Sequence, residues 1–338
     1  MQREQYLLFQ DLEQSDLYRN PLPMQYLGGK SRIVTWLVDM IQAQFPKCKH
    51  FLDLFSGTSI VAFTASQRGF SVHTNDIQHY AWYIAYALLK ASREGIQDAK
   101  SRLLAIKNNE ILFAKGRSAL YDLYASEYEF FENGVSPTNW STYSEFCANT
   151  NLYDGNTEQA ICWRKQQPWH LFATYYSNTY FGVRQCLELD AIRQISQEMD
   201  ADTRAIVIAA TISVMTFLVS STTHLAQFLK PSNFTRTKAL IERRKMSILD
   251  SVLVRLDALS QTQPVSKESE IMRHDFHDAL QCFDISGDWI VYVDPPYFKE
   301  HYSRYYHVIE TFALYDYPEL DVVPKLYDEL SPLVANPQ

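Results

Sequence analysis

His50-Phe51-Leu52-Asp53-Leu54-Phe55-Ser56-Gly57-Thr58 is the stretch on which the fold turns. The first six residues read as a short buried strand, and Ser56-Gly57-Thr58 closes it with a tight turn. A helix is predicted from Ile60 to about Arg68, with Gly69 in the C′ position where a left-handed backbone ends helices. Phe70-Ser71-Val72-His73-Thr74 then reads as a second strand that runs into Asn75-Asp76. Strand, turn, helix and strand in this order make a βαβ unit of a doubly wound parallel sheet.

Upstream, Tyr26-Leu27-Gly28-Gly29-Lys30-Ser31 is a glycine turn that feeds an amphipathic helix. That helix runs from Ile33 to Phe45, with apolar residues at 33, 34, 37, 38, 40 and 41, and Pro46 stops it. Downstream, residues 80–260 are mostly helical, with loop signals at 133–139 and 149–156. Alternation of strand and helix resumes only at Ile271-Met272-Arg273-His274-Asp275, followed by the strand Trp289-Ile290-Val291-Tyr292-Val293. The expected organisation is a discontinuous α/β domain, residues 1–80 and 261–338, interrupted by a mostly helical insertion, 81–260.

Composition narrows the function classes. The chain has 338 residues, 46% hydrophobic and 21% charged, with 22 Tyr and 19 Phe, an aromatic load best explained by core packing. With 31 basic against 39 acidic residues the net charge is −8, which argues against a coating protein that lives on non-specific phosphate attraction. An enzyme that presents its basic residues on one face is not excluded. Cys48, Cys147, Cys162, Cys186 and Cys282 are scattered without a CxxC pair, so neither a disulfide framework nor a zinc site is expected, and a reducing cytoplasm fits. Residues 1–20 read as a polar lead-in with no signal peptide, and the apolar stretch Ala205 to Leu229 as a buried helix and its exit, not a membrane span.

In an open α/β sheet, ligands bind at the carboxyl ends of the strands. Four motifs fall at such ends. In Asp53-Leu54-Phe55-Ser56-Gly57-Thr58 the glycine lets backbone N–H groups approach a ligand, although many α/β turns look like this. The pattern is neither a dinucleotide fingerprint nor a P-loop. Asp76 places an acid where ribose hydroxyls would meet it, and would equally cap a helix. Asp275, in His274-Asp275-Phe276, suits an adenine amine or a cap equally well. Asp294-Pro295-Pro296-Tyr297 is the strong signal. Two prolines stiffen a strand end, remove donors and leave carbonyls free between a carboxylate and an aromatic ring.

Together, Tyr26-Leu27-Gly28-Gly29-Lys30, Asp53-Leu54-Phe55-Ser56-Gly57, Asn75-Asp76, Asp275-Phe276 and Asp294-Pro295-Pro296-Tyr297 resemble the Dam-like class of adenine-specific DNA methyltransferases, over roughly residues 24–310. The resemblance implies a Rossmann-like methyltransferase sheet, S-adenosyl-L-methionine as cofactor and double-stranded DNA as substrate. It places Tyr26, Gly28, Gly29 and Lys30 beside the cofactor, with Lys30 also near DNA. Asp53, Phe55, Ser56, Gly57 and Thr58 would cradle the methionine moiety, Asp76 the ribose, and Asp275 and Phe276 the cofactor's adenine. Asp294 and the Pro295 carbonyl would accept the target amine's hydrogens, with Pro296 stiffening the turn and Tyr297 stacking on a flipped base. The insertion would carry target recognition. Its basic stretch, Lys230, Arg236, Lys238, Arg243, Arg244 and Lys245, reads as a phosphate-contacting surface or as a solvated helix face. Asn178, Arg184 and Gln185 are weaker candidates for reading base edges, and His224 reads as a core or helix-end histidine.

Two departures from the family's pattern stand out. Ser59 occupies a place where the cofactor turn usually offers another glycine. Only about forty residues follow Tyr297, where family members add further strands. The sheet is therefore expected to be incomplete at its C-terminal end, and a truncated or split enzyme that binds cofactor or DNA is the alternative reading. Expected partners are duplex DNA, a cognate restriction endonuclease or a complementing C-terminal chain, and no membrane. Methylation of RNA, of a protein amide or of cytosine stays open on the residues alone.

Overall fold

A computed structural model describes residues 20–107, 118–150, 162, 165, 169–222, 225–262, 269–285, 287–296 and 303–317. Among these, four strands form one parallel sheet in the order β3-β2-β1-β4, with β1 His50–Asp53, β2 Ser71–Asn75, β3 Ile271–Met272 and β4 Trp289–Tyr292. The connection from β1 leads to one side and β4 returns to the other. The boundary between β1 and β4 is thus the switch point at which open α/β sheets bind their ligands. In register, His50 lies opposite Ser71 and Trp289, and Asp53 opposite Thr74 and Tyr292.

The predicted βαβ unit forms almost residue for residue. Helix α1 spans Val34–Gln44, α2 Ile60–Gln67 and α3 His79–Lys90. Helix α2 is buried along its length, from Ile60 to Ser66, which is why its sequence is apolar on every side. Gly69, at φ 92°, ends it: its N–H donates to the Ser66 carbonyl at 3.0 Å and that of Phe70 to the Ala65 carbonyl at 3.2 Å. This pair of bonds satisfies carbonyls that would otherwise be stranded at the helix end.

The chain folds into two compact units. The first holds residues 1–100, 199–213 and 251–297, and so contains the sheet. Leu52 and Leu54, two residues apart, share a buried cluster with Met272 and with Ala279 of α12 (Phe276–Gln281). Phe55, Leu280, Phe283, Trp289 and Val291 pack around that cluster. Burying each large apolar side chain contributes roughly 1.5–3 kcal/mol. Strand β4 differs from β1 and β2: every one of its four residues is only half-buried.

The second unit, residues 101–198, 214–250 and 298–338, is helical among its described residues. It contains α5 (Ser118–Asn133), α6 (Trp140–Asn149), α7 (Leu171–Tyr175), α8 (Val183–Ser196), α10 (Phe234–Arg244) and α13 (Ser303–Leu314). Helices α4 (Arg93–Lys107), α9 (Ala201–Leu218) and α11 (Ile248–Ser260) divide between the two units. Helix α9 has the length and hydropathy of a membrane span, yet residues from Ala205 to Met215 are all buried, as in a core helix.

Buried acids start the helices of this second unit. Glu127 accepts the Val183 and Arg184 N–H groups, both at 2.9 Å, at the head of α8. Glu188 accepts those of Ile248 at 2.6 Å and Leu249 at 3.2 Å at the head of α11. Asp190 accepts those of Phe172 and Ala173 at the head of α7. Each carboxylate answers amides that no helical carbonyl can reach, and the helix dipole favours its charge. At the opposite pole, Arg193 donates to the Phe312 and Ala313 carbonyls at the tail of α13.

Candidate active site

Asp53, Asp76 and Asp294 stand at or just beyond the carboxyl ends of β1, β2 and β4. Asp53 is 1% exposed, and its carboxyl is pushed up to about 7, first by burial and then by the charges of Asp76 and Asp294. Hydrogen bonds from the Ala62 and Phe55 amides oppose the rise. Its Oδ1 is buried with no hydrogen-bond partner among the described residues.

The turn after β1 explains why glycine is needed there. Gly57 has φ 49°, and a Cβ on it would stand 3.0 Å from the Tyr26 hydroxyl and 3.2 Å from the ring. The Tyr26 ring therefore roofs the turn, which joins the glycine-lysine motif to the Asp53–Thr58 motif. Asp76 also holds this turn: its Oδ2 accepts the Gly57 N–H at 2.8 Å and its Oδ1 that of Gln78 at 3.0 Å. Ser59 sits at φ 55°, in the left-handed region, fully buried and with its hydroxyl unpartnered among the described residues. The backbone keeps the conformation glycine would favour, at a strain of about 1–2 kcal/mol for a residue with a side chain.

Beyond β4, Lys30 Nζ lies 2.5 Å from Asp294 Oδ2 and donates to the Gly28 carbonyl at 3.2 Å. The Tyr292 hydroxyl donates to the same carboxylate oxygen at 3.5 Å, and burial with the Asp294 charge pushes its phenol up. Pro295 and Pro296 are exposed, and Tyr297 lies outside the described residues.

Past β3, Asp275 caps α12: its Oδ1 accepts the His277 N–H at 3.0 Å and pairs with the His277 ring, and the backbone bond first, then the ring, hold the carboxyl below its usual range. Phe276 is 36% exposed, with its ring 5.7 Å from that of Phe55. The sequence motifs thus meet along one edge of the sheet, except Tyr297. Asn75 is the residue the motif reading left without a role, and it proves to be buried and bonded on both sides.

S-adenosyl-L-methionine fits these residues on two points. The orphaned Asp53 Oδ1 can take an ammonium hydrogen. Phe276 offers an exposed ring for a flat base.

The basic stretch in the second unit separates into different environments. Arg244 is fully buried and donates to the Tyr143 hydroxyl at 3.0 Å, Cys147 Sγ at 3.2 Å and the Thr179 carbonyl at 3.0 Å. A phosphate-contacting role for Arg244 is therefore corrected to a core one: a guanidinium sealed from solvent cannot reach DNA. Arg243 donates to the Val219 carbonyl at 2.9 Å, and Lys245 lies 3.6 Å from Glu242. Lys230 is half-buried, whereas Arg236 and Lys238 are exposed on α10. Asn178 and Gln185 are also buried, bonded to Thr150 and to the Arg243 and Met246 carbonyls. Arg184 pairs with Glu188 at 3.1 Å. Hydrophobic neighbours three and four residues away, Leu240, Ile241 and Ile248, were the available sign that Arg244 points inward. His224 lies outside the described residues.

The model of the D12 class N6 adenine-specific DNA methyltransferase family matches residues 26–331. Modification methylase LlaI of Lactococcus lactis subsp. lactis is 25% identical over 88% of this chain and 39% of its own length. Type II methyltransferase M.FokI of Planomicrobium okeanokoites is 25% identical over 88% and 38%. Type II methyltransferase M.NlaIII of Neisseria lactamica is 24% identical over 89% and 71%. The chain thus spans about two-fifths of the length of the first two relatives. No solved structure matches.

Proposed function

This chain belongs to the D12 class N6 adenine-specific DNA methyltransferase family, and on that premise we propose that it moves a methyl group from S-adenosyl-L-methionine to the exocyclic amine of an adenine flipped out of duplex DNA. The observation that carries the reading is the placement of Asp294, pinned by Lys30 at the switch point beside β1. The modification-methylase names of the relatives favour a restriction–modification setting, with a cognate endonuclease as partner.

The bound cofactor supplies an electrophilic methyl on sulfur. The chain's own residues then have two tasks. The first is holding: Asp53 and the Phe55–Thr58 turn take the methionine end, Asp76 the ribose, and Asp275 and Phe276 the adenine. The second is preparing the nucleophile. An adenine amine is a poor nucleophile because its lone pair is delocalised into the ring. Asp294 and the Pro295 carbonyl, each accepting one N–H, favour a tetrahedral nitrogen whose lone pair is free to attack in line. As the new N–C bond forms, the methyl–sulfur bond would break with its electron pair left on sulfur as a neutral thioether, and the proton shed by the nitrogen would pass to the Asp294 carboxylate. Positioning and electrostatics supply the rate, without a covalent enzyme intermediate. Tyr297 stacks on the flipped base. Residues 1–80 and 261–338 carry cofactor binding and catalysis, and 81–260 target recognition, where Arg236 and Lys238 contact phosphates.

The test compares the wild type with Asp294→Ala, using labelled cofactor and mixed-sequence duplex. Loss of an acceptor that matters only in the transition state lowers transfer by about a thousandfold or more, with cofactor affinity nearly unchanged. A fully active Asp294→Ala variant contradicts the assignment.

A further inference from the structure

The two ends of the proposed cofactor site lie on different strands, with β2 between them. Asn75, the last residue of β2, touches both neighbours. It is 2% exposed. Its Nδ2 donates to the Leu54 carbonyl at 3.3 Å, inside the Asp53–Thr58 turn, and to the His274 carbonyl at 3.1 Å. Its Oδ1 accepts the His274 N–H at 3.0 Å, and its backbone carbonyl accepts the Ser56 N–H at 3.0 Å.

This set of bonds has a structural logic. Strand β3 is only two residues long, and its pairing with β2 stops at Asn75 opposite Met272. The side-chain amide then imitates one further backbone unit, with a donor and an acceptor matched to His274. It extends the β2–β3 pairing to the residue before Asp275. An amide is required, because one group must give two hydrogens and take one. Aspartate would face two carbonyls with a negative charge, and an apolar residue would leave the buried Leu54 carbonyl, and that of His274, without this donor.

We infer that Asn75 is a positioning residue that locks the methionine-binding turn and the adenine-binding turn into one register, so that both ends of a single cofactor molecule are met at once. The inference rests on the cofactor reading above. Two contacts that are held rigidly relative to each other bind a linked ligand far better than either fragment. Loosening the link removes that gain and leaves the separate contacts in place.

The experiment measures binding of S-adenosylmethionine and of adenosine alone to the wild type, Asn75→Ala and Asn75→Asp by calorimetry. Transfer kinetics are measured at saturating DNA. In the wild type, S-adenosylmethionine binds more tightly than adenosine. In the variants this advantage falls by about tenfold or more, while adenosine affinity changes by less than about threefold. The cofactor KM rises with kcat at saturation largely kept. Asn75→Asp preserves the acceptor for the His274 N–H and carries the test if Asn75→Ala does not fold. A folded variant that keeps the full advantage, or loses adenosine and cofactor affinity equally, overturns the inference. A wild type that binds no S-adenosylmethionine defeats the cofactor reading instead, and is recognisable as such before any variant is compared.

Discussion

Asp53 concentrates the physical chemistry of the site in one side chain. Its folded carboxyl is pushed up to about 7 from an ordinary 3.8, so the folded state holds a proton more tightly than the unfolded chain does. The sign follows. Below about pH 4 both states are protonated and there is no penalty. Between about 4 and 7 the folded chain loses stability relative to one without this carboxyl, and above 7 the cost is complete, on the order of 4 kcal/mol. Thermal melts of the ligand-free protein and of Asp53→Asn check this. The variant gains stability relative to wild type as pH rises from 5 to 8, and a difference independent of pH contradicts the account. Natural proteins accept such a cost where a ligand repays it, and a cation bound at the orphaned Oδ1 would do so. The sequence made the position of Asp53 legible, because a strand followed by a glycine turn has few other meanings. Its proton affinity was not legible, since that depends first on complete burial by the folded chain and then on Asp76 and Asp294, 23 and 241 residues further along.

Elements built from local patterns were the most readable. Helix α2 and strands β1 and β2 match their predicted limits within a residue or two, because a short apolar run, a glycine stop and a second run define each other. Helix α10 shows where this kind of reading ends. Its charges look alike in sequence, yet Thr237, Leu240, Ile241 and Arg244 form its buried stripe while Arg236 and Lys238 face solvent. Two opposite expectations follow. Arg244→Ala leaves Tyr143, Cys147 and the Thr179 carbonyl without their shared donor and costs about 3–5 kcal/mol in denaturant unfolding. A loss under about 1 kcal/mol would contradict its core role. The double variant Arg236→Ala with Lys238→Ala leaves stability within about 0.5 kcal/mol. It lowers the slope of log affinity for duplex DNA against log salt by about 1.8, the share of two phosphate contacts. An unchanged slope removes these two residues from the DNA surface.

For the molecule as a whole, the family match over residues 26–331 covers both compact units, so the helical unit belongs to the family as much as the sheet does. The order of motifs along the chain announced the sheet, but not which distant segments would join it. Residues 199–213 pack with the strands, and 303–317 with the helices. Such pairings are decided by burial of surfaces far apart in sequence, among them Arg193 and Asp190 of α8 receiving the tail of α13 and Tyr315. The central claim concerns chemistry, and product identity addresses it most directly. The purified chain is incubated with labelled S-adenosylmethionine and mixed-sequence duplex DNA, and the DNA is digested to nucleosides. The account predicts label in N6-methyl-2′-deoxyadenosine, absent with Asp294→Ala. Label in a methyl-2′-deoxycytidine, or none at all, would contradict it.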